Sequence, residues 1–375
     1  MEIRGVVEGF YGPPYRWPDR FFLIKEFRNL NFNYYLYGPK EDPFHRKEWQ
    51  KFYPEGELNK FKRLCNECRV RRITLNYALS PGAEVDLVVM KLNQLKKVGI
   101  REFSLFFDDI DAKPSITLAK MQAGIANAAM VRIKPRRLLV CPTQYSGKRS
   151  PYLETLSKLL DKRIYLLWTG PKIVSPKIAR KDLSWLIGLF GNRIVLWDNY
   201  PVNDYDRSRI FLGPFRGRDP QILRILQGYL TNPMNEARTS IIPLFTLAEF
   251  FKKRGNYNPK EAITKSLKQF GLETRYSMLR QFFPSRIYTR ISYETRLLKR
   301  GDFKILLDQL KSWQRFNLLD GQKWIDNLLL ARDLLLEKLK DGYINQHKLR
   351  TLMISKQKDF YFENQVYHFL LTKNG

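Results

Sequence analysis

Cysteine and histidine are scarce in this sequence, with three of each among 375 residues. Three cysteines are too few for the disulfide framework that stabilises small secreted domains. Cys65 and Cys68 have the spacing of half a zinc site, but no second pair of cysteines or histidines lies nearby to complete it. The sequence therefore predicts no metal site.

Long apolar segments are also missing. No apolar run approaches the roughly 18 residues of a membrane-spanning helix. The first residues, Met1 to Arg4, pass straight into a predicted strand instead of the charged and then apolar start of an export signal. We therefore expect a cytoplasmic protein without a membrane span, with export by a signal-independent route as the alternative.

Acidic residues are in deficit. The chain has 66 lysines and arginines against 37 aspartates and glutamates, which gives a net charge of +29. Such an excess favours anionic partners such as nucleic acid, acidic proteins or membrane surfaces. The sequence contains no nucleic-acid-binding motif and no dense basic tract, because the cations are spread along the chain. A solvated basic surface explains the charge at least as well as a specific polyanion site.

Short apolar runs alternate with amphipathic segments through residues 1–255. Eight strands alternating with helices are typical of a (β/α)8 TIM-type barrel. The main rival, a doubly wound open sheet, would favour a phosphate-binding glycine loop after the first strand, and residues 8–12 do not form one. The predicted strands are 3–7, 33–37, 73–79, 103–107, 137–141, 164–167, 194–197 and 226–230. Clear amphipathic helices are predicted at 84–98, 151–162 and 179–190.

The pattern changes towards the C-terminus. Residues 240–251 fit either a strand or a helix, and we predict a final barrel helix at about 235–252. Beyond residue 255 the apolar spacing is wholly helical, most clearly at 324–339. We therefore expect a catalytic barrel over 1–255 and a helical bundle domain of four or five helices over 256–375. We expect the helical domain to serve in packing or homodimerisation.

Two adjacent aspartates, Asp108 and Asp109, leave the fourth predicted strand together. Consecutive Cα atoms are only about 3.8 Å apart, so each carboxylate should raise the pKa of the other and favour one protonated acid near neutral pH. An acid beside a permanent carboxylate is what glycosidic bond cleavage requires. Solvated turn aspartates or a helix cap are the alternatives for this run taken alone.

The C-terminal ends of barrel strands meet around one pocket. In this chain those ends carry aromatic, carboxylate and amide side chains, which suit a sugar: aromatic rings give it a flat apolar wall, and the polar groups match its hydroxyls. Each residue also has an ordinary structural explanation, and their shared placement favours the site. The set includes Gly9, Lys40, Asp108, Asp109, Tyr145, Trp168, Trp197, Asn199, Asp204 and Asn232.

Six segments, in the same order, resemble glycoside hydrolase family 84, which includes protein O-GlcNAcases and bacterial β-N-acetylglucosaminidases. No single segment is specific for the family, but the six together are. Departures from the family pattern are mild: Gly38 stands for a common alanine, Glu41 for a common aspartate, and Tyr15 where tryptophan is frequent. The segments are residues 8–12, 35–42, 107–110, 168–171, 197–204 and 230–233.

The resemblance implies a retaining mechanism in which the 2-acetamido oxygen of the substrate attacks the anomeric carbon and forms an oxazoline. It implies that Asp108 accepts the acetamide N–H, and that Asp109 protonates the leaving oxygen and then activates water. No metal or organic cofactor is implied. The implied binding residues are Tyr145 for orienting the acetamide, Trp197 and Asn199 for its pocket, and Gly9, Lys40, Asp204 and Asn232 for the sugar hydroxyls.

Three functions compete at this stage. The first is removal of terminal β-linked N-acetylglucosamine from a glycoside or glycoprotein, including Ser or Thr of proteins. The second is an endo-acting hydrolase of acidic glycans such as hyaluronan, which the net charge favours. The third is a catalytically silent carbohydrate- or polyanion-binding protein, and the intact Asp108 and Asp109 count against it.

Overall fold

The protein forms a closed eight-stranded parallel barrel in a computed structural model, which describes residues 1–206, 210–272, 317–341 and 345–354. Each strand pairs with the next, and the last pairs with the first. The strands are β1 Ile3–Glu8, β2 Tyr34–Tyr37, β3 Thr74–Leu79, β4 Glu102–Phe106, β5 Arg137–Cys141, β6 Tyr165–Trp168, β7 Ile194–Asp198 and β8 Gly228–Thr231. All eight predicted strands are confirmed, and so is the TIM-type barrel.

Helices follow the strands and cover the outside of the barrel. Between β7 and β8 the described residues contain only a short 3-10 helix, Pro220–Arg224. Local sequence explains where α5 begins: Pro151 is its first residue, and the side chain of Ser150 accepts a hydrogen bond from the backbone N–H of Leu153. The helices are α1 Trp17–Phe27, α2 Glu55–Val70, α3 Val85–Lys97, α4 Ile116–Ile133, α5 Pro151–Leu159, α6 Arg180–Phe190 and α7 Ile241–Lys253.

The strands are buried on both faces. Alternate residues such as Val7 and Leu36 fill the barrel interior, while their neighbours Val6 and Tyr35 pack beneath the helices. Strands with two buried faces read as continuous apolar runs instead of alternating ones. This is why short apolar runs were enough to locate them in the sequence.

Buried ion pairs hold the C-terminal ends of two strands. At the end of β1, Glu8 is fully buried and accepts two hydrogen bonds from Arg20 of α1, at 2.8 and 2.9 Å. At the end of β7, Asp198 accepts two from Arg218, at 2.6 and 2.8 Å. Two parallel bonds between a guanidinium and a carboxylate fix orientation as well as distance. The loops that leave β1 and β7 therefore start from anchored strand ends.

The final barrel helix begins later than expected, at Ile241 instead of about residue 235. Pro243 lies in its first turn, where a missing backbone N–H costs no helical hydrogen bond. The residues just before it are held in a turn by Asp320, which accepts from the backbone N–H groups of Arg238 and Thr239 at 2.9 and 2.7 Å. That contact spans 81 residues or more of sequence and is not readable from local pattern.

The described part of the C-terminal region is helical. It contains α8 Pro259–Gln269, α9 Gln322–Asp341 and α10 Gln346–Ile354. The predicted helix at 324–339 lies within α9 and is confirmed. The remaining helix predictions fall on residues outside those described, so the number of helices and the division at residue 255 stay predictions. No helix in the described residues is long and apolar enough to cross a membrane.

Candidate active site

A cavity of about 340 Å³ lies at the C-terminal ends of the barrel strands. All nine residues predicted for catalysis or sugar binding line it. Trp168, another aromatic residue at a strand end, does not: it is fully buried and packs edge-on against Trp185 of α6. The nine are Gly9, Lys40, Asp108, Asp109, Tyr145, Trp197, Asn199, Asp204 and Asn232.

The two adjacent aspartates, called here the acid pair, differ in their surroundings. Asp108 is buried, whereas the side chain of Asp109 is 31% exposed. The Lys40 ammonium forms an ion pair with Asp108 Oδ2 and lies 3.9 Å from Asp109 Oδ2. Asp108 Oδ1 is buried and, within the described part of the chain, accepts no hydrogen bond. Asp108 Oδ1 is therefore available to accept a hydrogen bond from a ligand.

Asp109 is held at both carboxylate oxygens by tyrosine hydroxyls. Tyr145 donates to Oδ1 at 2.6 Å, and Tyr11 donates to Oδ2 at 2.9 Å. The backbone of Asp109 has φ +52°, in the left-handed region that aspartate tolerates better than most residues. The acid pair thus leaves β4 through a sharp change of backbone direction, and its two carboxylates have separate partners.

The expectation that mutual repulsion raises the pKa is wrong for Asp109. Partial burial does raise its pKa, but the Lys40 ammonium, the hydroxyls of Tyr145 and Tyr11 and the Arg46 guanidinium together outweigh burial. The pKa of Asp109 is therefore lowered. The prediction considered only the neighbouring aspartate, because the cations and hydroxyls come from distant parts of the chain.

An indole and two amides form a connected wall of the cavity. The Trp197 indole N–H donates to Asn199 Oδ1 at 2.9 Å, and Asn232 donates to the same oxygen at 3.1 Å. Asn232 in turn accepts from the backbone N–H of Gly9 at 3.3 Å. A Cβ at Gly9 would lie 2.3 Å from a ring carbon of Trp197. Glycine is required there because the indole packs directly against the backbone.

Asp204 joins the loop after β7 to the loop after β1. It accepts a hydrogen bond from the backbone N–H of Tyr11 at 2.7 Å. Burial raises its pKa, although the N–H groups of Tyr11 and Tyr205 and the Lys40 charge oppose the rise. A half-buried carboxylate at the cavity is suited to accept sugar hydroxyls.

Two polar residues that contact the acid pair were not predicted from the sequence as site residues. Tyr11 lies within the segment at 8–12 that carries the family resemblance, so a signal for it existed. Arg46 donates to the backbone carbonyl of Asp109 at 2.7 Å, and no sequence signal marks it. Other residues line the cavity without having been predicted: Cys141, Thr169, Ile173, Val174, Val202 and Tyr205.

Neither the thiol nor the imidazole near the cavity is suited to proton transfer. Burial strongly raises the pKa of Cys141. Burial also lowers the pKa of His45 to about 3, and His45 Nδ1 lies 2.8 Å from the Ala78 carbonyl oxygen. Among the described residues, no cluster of three or more His, Cys, Asp or Glu could hold a metal ion. This leaves the carboxylates of the cavity as the candidates for proton transfer, and the acid pair is the one held by tyrosine hydroxyls.

Sequence comparison matches this chain to one family. A family model described as beta-N-acetylglucosaminidase matches residues 4–283. The protein O-GlcNAcases of Rattus norvegicus and Mus musculus are each 36% identical over 282 residues, an overlap of 69% of this chain and 31% of theirs. This chain therefore spans about a third of the length of these relatives.

Structure comparison finds the same barrel elsewhere. The O-GlcNAc hydrolase of Thermobaculum terrenum, solved as an aspartate-to-asparagine mutant, has a TM-score of 0.80 at 23% identity, over 99% of this chain and 94% of that chain. The structure of CpGH84B has a TM-score of 0.76 at 22% identity, over 99% of this chain and 73% of that one. At such identities the likeness establishes the fold.

Proposed function

The chain belongs to the beta-N-acetylglucosaminidase family, glycoside hydrolase family 84, and we propose that it removes terminal β-linked N-acetylglucosamine with retention of configuration. The substrates would include the sugar O-linked to Ser or Thr of proteins, as the names of the curated relatives suggest. One observation carries the proposal: the acid pair lies in a single cavity with an ammonium, two tyrosine hydroxyls and an indole–amide wall.

In the first step the acetamide of the substrate is the nucleophile. Its carbonyl oxygen attacks the anomeric carbon while the bond from that carbon to the leaving oxygen breaks. Asp108 Oδ1, the buried oxygen without a partner among the described residues, accepts the acetamide N–H. The carboxylate then balances the positive charge that develops on the new five-membered ring, and Lys40 holds its other oxygen.

The leaving oxygen needs a proton, which we assign to Asp109. In the structure both Asp109 oxygens accept hydroxyl hydrogen bonds, an arrangement that favours the ionised form. The acetamide oxygen of an entering sugar competes for the Tyr145 hydroxyl. The Tyr145 hydrogen bond lowers the pKa of Asp109, and Asp109 loses this bond when Tyr145 turns to the acetamide oxygen. The bound sugar also excludes water from the carboxylate. Substrate binding thus raises the pKa of Asp109 and prepares it as an acid.

In the second step Asp109 has given up its proton and acts as a base. It takes a proton from water, whose oxygen attacks the anomeric carbon of the oxazoline. The bond between that carbon and the oxazoline oxygen breaks, and its electron pair restores the acetamide carbonyl. The Trp197 indole would pack against the acetamide, and Asn199 would fix the indole through its hydrogen bond. Gly9, Lys40, Asp204 and Asn232 would contact the sugar hydroxyls. These binding roles rest on the lining of the cavity and on the family match.

The two alternative functions have less support. A catalytically silent binding protein would have no need for the intact acid pair with its ordered partners. Endo-cleavage of acidic glycans rests on the net charge alone. The expected cytoplasmic location and a homodimer formed through the helical region stay predictions.

The decisive assay is hydrolysis of a nitrophenyl β-N-acetylglucosaminide by the purified chain. We expect turnover of this substrate and of a serine-linked glycopeptide, and none of the matched β-glucoside, which lacks the acetamide. Asp108→Asn is the control for contaminating activity, because it changes one buried charge of the site. A folded protein that hydrolyses the glucoside as fast as the N-acetylglucosaminide would overturn the proposal.

A further inference from the structure

Arg46 reaches the acid pair from the loop between β2 and α2. The loop is fixed next to it: the Ser80 backbone N–H donates to the carbonyl of His45 at 2.9 Å, and the His45 ring contacts the Ala78 carbonyl at 2.8 Å. From this anchored position Arg46 Nη2 donates to the Asp109 carbonyl at 2.7 Å. The same nitrogen lies 3.5 Å from the Asp108 carbonyl. One guanidinium therefore faces both peptide carbonyls of the acid pair.

This contact supports a backbone conformation that needs support. Asp109 has φ +52°, which is less favourable for an L-residue than the right-handed region. A hydrogen bond from a charged donor to its carbonyl offsets that cost. The Arg46 guanidinium also lies 5.8 Å from the ring centroid of Tyr11, whose hydroxyl holds Asp109 Oδ2. Arg46 thus touches both the backbone of the acid and one of its side-chain partners.

We propose that Arg46 is a positioning residue for leaving-group protonation: it holds the Asp109 peptide, and through it the carboxyl group, in the orientation that reaches the leaving oxygen. The inference rests on the proposed function, in which Asp109 is the acid. No carboxylate forms an ion pair with Arg46 in the part of the chain that the structure describes, and its Nη1 is buried there without a hydrogen-bond partner. Its charge therefore acts on the acid pair.

The charge has a second effect with a definite sign. In the part of the chain that the structure describes, the groups that face Asp109 are Tyr11, Lys40, Arg46, Asp108, Cys141, Tyr145 and Asp204. Of these, only Lys40 and Arg46 carry positive charge, and Lys40 is already paired with Asp108. Arg46 lowers the pKa of Asp109, so its removal should raise that pKa. The high-pH limb of kcat/KM, which reports the acid of the free enzyme, should then move to higher pH.

The kinetic test uses two variants, one control and two leaving groups. Arg46→Gln removes the charge, Arg46→Lys keeps it, and Lys47→Gln removes one charge from an exposed position of the same loop. For a serine glycopeptide, which needs the acid, Arg46→Gln should lower the pH-independent maximum of kcat/KM by about tenfold or more, as expected for a lost charge-assisted hydrogen bond. For a nitrophenyl glycoside the loss should be much smaller. Lys47→Gln should match the original chain on both.

Arg46→Lys separates geometry from charge. It should keep the high-pH limb where it is and still lose activity on the serine glycopeptide, because an ammonium does not reproduce the planar guanidinium. If Arg46→Gln does not fold, the leaving-group comparison with Arg46→Lys tests the proposal in its place. Equal losses on both leaving groups, in a variant with unchanged thermal unfolding, would overturn the proposal, since a residue that acts through the acid must discriminate between them.

A titration without substrate separates this proposal from the proposed function. Carbon-13 NMR of aspartate-labelled protein follows the Asp109 carboxyl, which is assigned by its loss in Asp109→Asn. Arg46→Gln should raise the midpoint of that titration, and Lys47→Gln should leave it in place. If the titration moves but the original chain hydrolyses no N-acetylglucosaminide, the proposed function fails and the Arg46 contact stands. An unmoved titration in folded Arg46→Gln counts against Arg46 acting on the acid.

Discussion

The Tyr145 hydroxyl donates a hydrogen bond to Asp109 Oδ1 at 2.6 Å, so the residue expected to orient the acetamide is bonded to the acid instead. The two roles exclude each other for one hydroxyl proton. In the proposed mechanism, binding of the acetamide and the protonation state of Asp109 are therefore linked through this one hydrogen bond, and removing the hydroxyl tests the link.

Tyr145→Phe should move the high-pH limb of kcat/KM upward. The hydroxyl stabilises ionised Asp109, so its loss raises the pKa of that acid and keeps it protonated to higher pH. The pH-independent maximum of kcat/KM should nevertheless fall about fivefold, because about 1 kcal/mol of interaction with the acetamide is lost. Tyr11→Phe is the matched control: it should move the limb in the same direction without the acetamide penalty. A downward shift in Tyr145→Phe would contradict this assignment.

Asp109→Ala should discriminate between leaving groups. A serine hydroxyl departs only with a proton, so loss of the Asp109 carboxyl should lower the cleavage rate of a serine glycopeptide roughly 10²–10⁴-fold. A nitrophenol leaves with little help, and its glycoside should suffer much less until hydrolysis of the oxazoline becomes limiting. Single-turnover measurements on both substrates give the comparison. Equal losses would mean that Asp109 is not the acid.

The nucleophile can be tested on the substrate and on Asp108. Replacing the acetyl group by trifluoroacetyl makes the carbonyl oxygen less basic and should slow the first chemical step. Asp108→Asn should slow the first step for good and poor leaving groups alike, because Asp108 serves the acetamide. If acetyl and trifluoroacetyl substrates react equally fast with chemistry limiting, substrate assistance is ruled out and Asp108 becomes a candidate enzyme nucleophile.

Gly9→Ala should disturb the indole wall. The new Cβ would lie 2.3 Å from a ring carbon of Trp197, so the ring or the backbone must move. Overpacking of this kind typically costs about 1–3 kcal/mol, and we expect a raised KM together with a lower Tm. Gly56→Ala is the control, since a Cβ there meets nothing within 4 Å. An unchanged KM in Gly9→Ala would separate Gly9 from the sugar site.

The basic surface should steer acidic substrates. The loops after β5 and β6 are joined by a hydrogen bond from the Gly147 N–H to the Gly170 carbonyl at 3.0 Å, and they carry Lys148, Arg149 and Lys177. Exposed charges are screened beyond about 8 Å at physiological ionic strength. The kcat/KM for an acidic glycopeptide should therefore fall with added salt, while that for a neutral glycoside stays level. A flat profile for the acidic glycopeptide would exclude steering.

Much of the barrel and its site could be predicted from the sequence for two physical reasons. Strands buried on both faces leave apolar runs, and parallel strands bring their C-terminal ends together, so residues as distant as Gly9 and Asn232 were expected in one cavity. The family resemblance then supplied roles that the residues alone did not.

What could not be predicted depends on contacts between distant segments. The sign of the Asp109 pKa shift comes mainly from Lys40 and Tyr145, against the effect of burial, and neither residue is near Asp109 in sequence. Arg46 was missed because a loop arginine beside a histidine has no distinguishing pattern. The start of α7 was placed too early because Asp320, far along the chain, holds the preceding turn.

The buried Glu8 at the end of β1 has a consequence for laboratory evolution of this protein. Glu8 also accepts from the Tyr15 N–H at 3.0 Å and from the Tyr35 hydroxyl, so it ties strand, loop and helix together. Breaking a buried pair by removing one partner costs about 3–5 kcal/mol, a large part of a typical domain's stability. Libraries that vary residues 9–12 to change specificity should therefore keep Glu8, Tyr15 and Arg20 constant, because selection there would otherwise report folding instead of chemistry.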